Sequence, residues 1–144
     1  MSSPALSTED AQAPLAPRAK AALAFEILLA YARARHLLWR QALPEALRKL
    51  RNVPVTKASP PDPVRGGRRL GIAVVRTLRL LPTDSRCLVR SLVLTRVLSR
   101  RGVASTLVIG VRRGDELQAH AWVEHKGIPL LDAGETSFRR LGEL

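Results

Sequence analysis

The sequence predicts an α+β fold, helices first and a small antiparallel sheet after them, on three observations. Apolar residues recur at helical spacing from Arg18 to about residue 100. After Gly102 the period drops to two. The alternating segments are joined by short turns at Arg113-Gly114-Asp115 and His125-Lys126-Gly127, which makes them an antiparallel meander. A length of 144 residues suits one domain around one core, and 46 % apolar content supports a packed interior. With aromatics at 3 %, that interior is built from Leu, Val, Ile and Ala.

Residues 1–17 are rich in Ser, Ala and Pro without apolar periodicity and read as a flexible tail, leaving 18–144 as a single domain. Its first part, 18–66, is helical and ends in a linker. Leu23, Ile27, Ala30, Ala34 and Leu38 mark a helix over 18–41, and Pro44 starts a short second one over 44–51. The proline-rich 52–66 is a connector. The core, 67–144, opens with an amphipathic helix over 67–81. Leu70, Val74, Leu78 and Leu81 line one side, opposite Arg65, Arg68, Arg69, Arg76 and Arg79. Pro82 closes it, and Asp84 or Ser85 caps a helix over 86–100 that is apolar nearly all round, as central helices are. Strands follow around 106–111, at 117–124 and at 128–132.

The formal net charge of +12 favours acidic partners: nucleic acid, a membrane surface or an acidic peptide. A single cysteine excludes an internal disulfide and any metal site needing two thiolates. The start carries no secretory pattern, and the apolar run 21–32, broken by Glu26, is too short to span a bilayer. These features predict a soluble cytoplasmic protein.

One constellation carries chemistry. Cys87 falls in the first turn of the most apolar helix, where unpaired N–H groups and the helix dipole favour anions, with Arg86 and Arg90 nearby. An isolated cysteine is more often a small core residue. On 117–124, however, Gln118, His120, Trp122 and Glu124 share one face. A three-residue loop at 125–127 would pair Glu124 with Ile128 and set His120 opposite Asp132, at a Cβ separation of about 4.5–5.5 Å. A two-residue turn would shift that register by one. Nucleophile, base and orienting acid are what acyl transfer needs. The Cys87 N–H is the natural oxyanion donor unless Asp84 occupies it, and Gln118 and Trp122 are candidates for a second donor or for lining the substrate groove.

The run from Cys87 to Glu135 resembles the stand-alone form of the transglutaminase-like leader peptidase of lasso peptide biosynthesis. The motifs are Cys87 to Leu92, Arg101-Gly102, Ile109 to Val111 and Ala119 to Glu124. The resemblance is strong over 68–135, and it implies a papain/transglutaminase-like fold with the cysteine helix packed on the sheet. It also implies a Cys-His-Asp triad at Cys87, His120 and Asp132 that needs no metal or other cofactor. The implied reaction removes the leader from a precursor peptide, alongside a separate leader-recognition protein and ahead of an ATP-dependent lactam synthetase. Two other readings stay open: an idle or acyl-transferring scaffold of the same fold, and a basic helical module for nucleic acid. The second lacks helix-turn-helix spacing, zinc patterns and aromatics to stack bases, so no nucleic-acid partner is expected. The arginine face of 67–81 is then a solvated face or a docking face for the recognition protein or an acidic leader.

Overall fold

The computed structural model describes residues 15–81, 87–131 and 138–144. In chain order come α1 (Pro17–Arg40), α2 (Leu43–Arg51), α3 (Pro63–Leu78), α4 (Cys87–Ser99), β1 (Thr106–Arg113), β2 (Leu117–His125), β3 (Ile128–Pro129) and β4 (Arg139–Glu143). This is the α+β class expected. The three other helices pack on α4, which also lies on β2 and β1.

The centre of the domain is α4. Leu92, Val93, Leu94, Val97 and Leu98 are wholly buried, and so are Ser91 and Thr95. Those hydroxyls can be buried because the helix satisfies them itself: Ser91 donates to Cys87 O and Thr95 to Ser91 O, each at 2.8 Å. At the far end Gly102 takes φ +70°, and Val103 N returns to Leu98 O at 3.1 Å, a Schellman closure. The proline-rich connector reinforces that end. Thr56 N and Lys57 N both donate to Arg100 O, at 2.9 and 3.1 Å, so the connector satisfies a carbonyl that the helix leaves open. Glu26, the residue that breaks the apolar run of α1, is buried and receives Arg101 Nη1 and Nη2 at 2.9 and 3.0 Å. That bidentate pair ties α1 to the end of α4.

Helix α3 begins at Pro63, four residues before the expected start, because Asp62 caps it. The Asp62 carboxylate accepts from Val64 N and Arg65 N, both at 3.1 Å, with proline in the first turn. It ends at Leu78 rather than 81, with Arg79 to Leu81 in a turn. Its buried stripe includes Gly67 and Gly71 as well as Val74 and Leu78. A Cβ on Gly67 would lie 2.7 Å from Leu130 Cδ1, and one on Gly71 would lie 2.7 Å from the Leu130 carbonyl oxygen. The two glycines let the helix approach the segment after β3 closely.

The sheet runs β3-β2-β1-β4, antiparallel throughout. Two features differ from expectation. The β2–β3 connection is a two-residue turn, with Lys126 at φ +49° and Gly127 at φ +79°, so Glu124 pairs with Pro129 and not with Ile128. Two consecutive left-handed residues suit the twist of a hairpin better than the three-residue loop does. The third strand ends at Pro129, since Leu130 turns into the core against α3 after one more rung, Leu130 N to Val123 O at 2.8 Å. In addition β4, which no periodicity predicts, pairs with β1 across a bulge between Ile109 and Gly110. Its residues are all exposed, so no apolar alternation announces it.

Gly71→Ala tests the α3 contact. Alanine is favoured over glycine in a helix by about 1 kcal/mol. Here the methyl meets a backbone oxygen, and overpacking costs roughly 1–3 kcal/mol. Net destabilisation in urea unfolding is the expected outcome, whereas Gly114→Ala, whose Cβ would be 3.8 Å from the nearest atom, leaves the midpoint nearly unchanged.

Candidate active site

The alternation of β2 decides which chemistry each face holds. Ala121 and Val123 point with Leu107 into the core beneath α4. His120, Trp122 and Glu124 occupy the other face, opposite Gly110, Val108 and Thr106 on β1.

Cys87 is the first described residue of α4 and the chain's single cysteine; it is half-buried against the core. The turn that carries it is seated on β2 through Ser91. Ser91 Oγ lies 2.8 Å from Cys87 O and 3.2 Å from Ala121 O, and the hydroxyl proton is shared between the two carbonyls. On the β3 side Val123 O accepts from Leu130 N, and the antiparallel alternation turns the Ala121 carbonyl the same way. The start of α4 therefore abuts β2 at the residue next to His120.

Around His120 the packing is aromatic. Its ring stacks on Trp122 at 5.9 Å between centroids and 25° between planes, and Phe138 tilts against it at 5.2 Å. Trp122 is buried and lies over Gly110: a Cβ there would come within 2.8 Å of the indole. The indole N–H donates to Glu124 Oε1 at 2.9 Å, and Arg140 on β4 donates to the same oxygen. This hydrogen bond raises the pKa of Arg140 above its ordinary value. Glu124 is only 3 % exposed, far from the surface ion pair that a Glu at a strand end suggests. Arg140 also joins Glu143, so β4 anchors the carboxylate that holds the tryptophan that packs the histidine.

The other expected residues fall as follows. Gln118 is exposed, and its side-chain oxygen accepts from Arg112 across the β1–β2 pair. The Trp122 donor is engaged by Glu124. Asp132 lies outside the described residues, as do Asp84, Ser85 and Arg86. The register that sets His120 opposite Asp132 requires the three-residue loop and falls with it. Arg65, Arg68, Arg69 and Arg76 on α3 and Arg79 in the turn after it are all exposed, with Arg68 Nε donating to Pro129 O at 3.1 Å. Phe138 and Arg140 escape sequence reasoning because they stand in a segment without periodicity, whereas the shared face of His120, Trp122 and Glu124 is readable from alternation.

The family model described as the transglutaminase-like superfamily matches residues 8–143. Searches of curated proteins and of solved structures found no match.

Glu124→Ala leaves the buried indole N–H without its acceptor, a loss of about 1–3 kcal/mol. Urea unfolding followed by tryptophan emission is expected to show it; an unchanged midpoint would mean that the buried carboxylate does not hold Trp122.

Proposed function

Because the chain belongs to the transglutaminase-like superfamily, we propose that it is a cysteine endopeptidase, with Cys87 as nucleophile, His120 as base and Asp132 as the orienting acid. The observation that carries the reading is the seating of the Cys87 turn on β2, through Ser91 and Ala121, beside the strand position of His120. In the reaction the Cys87 sulfur attacks the scissile carbonyl carbon while its proton passes to His120. The same proton is returned to the departing amine as the thioester forms. Water, deprotonated by His120, then releases the acid product and restores the thiol. The Trp122 and Phe138 rings hold the imidazole in place, and Asp132 selects its tautomer.

The substrate in this reading is the leader region of a lasso peptide precursor, cut in the cytoplasm. The motifs Cys87 to Leu92 and Ala119 to Glu124 support it. A separate recognition protein delivers the leader, and an ATP-dependent lactam synthetase uses the freed N-terminus. The exposed guanidinium groups of Arg65, Arg68, Arg69, Arg76 and Arg79 form the face on which the recognition protein or the acidic leader docks.

Mass spectrometry of the precursor, incubated with its recognition protein and this chain, decides the activity. Wild type is expected to release an intact leader, Cys87→Ala none, and His120→Ala at a rate lower by about 10²–10⁴-fold. Equal cutting by Cys87→Ala would remove Cys87 from the mechanism. A crosslinked product would replace hydrolysis by acyl transfer, and an unchanged precursor would indicate an idle scaffold.

Docking is tested separately by calorimetric titration. Charge reversal at Arg69 and Arg76 together is expected to weaken the complex with the recognition protein about fivefold or more. Added salt is expected to weaken the wild-type complex similarly. Unchanged affinity would sink the docking face.

A further inference from the structure

The exposed side of α1 is not that of an ordinary solvated helix. Its buried arc, Ile27, Ala30, Ala34 and Leu37, faces the core, as an amphipathic helix requires. The opposite arc is apolar as well. Phe25 is 64 % exposed, Leu29 53 % and Trp39 79 %, with Leu28 beside them and the exposed Ala32 between. At 100° per residue these five fall within one narrow sector, shared with His36. From Phe25 to Trp39 the ridge is about 21 Å long. Scattered exposed apolar residues are normal, but a continuous ridge marks an interaction surface.

Charge decides what covers it. Arg33 and Arg35 flank the ridge on opposite sides, both exposed, and Arg18 and Arg40 stand at its ends, with the Arg40 guanidinium over the Trp39 ring at 5.3 Å. The only acid in α1, Glu26, is buried against Arg101, so the helix itself places no negative charge on its exposed arc. A second copy would bring these cationic flanks together in a chain of net charge +12. A protein groove would need acidic walls on both sides of a convex ridge. A plane of anionic headgroups over acyl carbon meets both requirements at once.

We propose that α1 seats the protein on an anionic bilayer surface, its Phe25–Leu29 ridge and Trp39 entering the headgroup–acyl boundary while Arg18, Arg33, Arg35 and Arg40 contact lipid phosphates. The contact is peripheral: among the described residues no helix is long and apolar enough to cross a membrane. It is independent of the peptidase reading.

The test uses the whole chain with vesicles of phosphatidylglycerol and phosphatidylcholine, or of phosphatidylcholine alone. The chain has two tryptophans, and Trp122 is buried, so acrylamide quenching reports Trp39. With anionic vesicles the expected results are flotation, a blue shift and a severalfold fall in quenching. Trp39→Phe should remove the optical change while flotation persists. Phe25→Ser with Leu29→Ser, both at exposed positions, should weaken flotation about tenfold or more with the urea midpoint retained. Flotation with Trp39 still fully quenchable, and equal in the double variant, would reduce the contact to general positive charge and overturn the proposal. Absence of flotation would also overturn it and would assign the ridge to a protein partner.

Discussion

Burial of α4 on every side is the constraint from which the rest of the domain follows. A helix with no polar face must be enclosed, and α1, α2 and α3 enclose it on one side while β1 and β2 enclose it on the other. That enclosure explains why so few aromatic residues suffice, since stacked Leu and Val side chains fill the interior between elements. It explains the hydroxyl ladder of Ser91, Thr95 and Ser99, whose groups return to the carbonyls one turn back and leave little polar capacity unmet. It also places the start of the helix, with Cys87, at the border of the sheet rather than in solvent.

The second constraint lies on the far face of the sheet. The buried Trp122 needs room, which Gly110 on the neighbouring strand provides, and it needs an acceptor, which Glu124 provides. Burying Glu124 in turn requires a cation, supplied from β4 by Arg140. A short exposed edge strand thus completes the polar circuit behind the aromatic packing of His120. The positions of Phe138 and Arg140 on either side of the start of β4 serve the same face.

The positive surplus is distributed unevenly. Both buried acids of the described core, Glu26 and Glu124, are matched by arginines, and these pairs hold elements together. At the far end of α4, Arg96 has its pKa lowered, by burial first and then by repulsion from Arg33 and Arg100. The arginines of α1 and α3 lie on exposed faces. Charge here is mainly an outward property, acting on partners, whereas the fold rests on apolar burial.

By itself the sequence determined the α+β order, the helices of the first hundred residues, the central place of the Cys87 helix and the face shared by His120, Trp122 and Glu124. These are statements about period and composition, which are local and strongly patterned. Only the tertiary structure decided the turn at Lys126-Gly127, because a one-residue difference in a loop leaves hydrophobicity unchanged while it moves every cross-strand partner. It alone revealed β4, an exposed strand held by backbone hydrogen bonds that no side-chain pattern encodes. It also decided the burial of Glu124, since whether a charge is enclosed depends on a partner sixteen residues away, Arg140, that folding brings beside it.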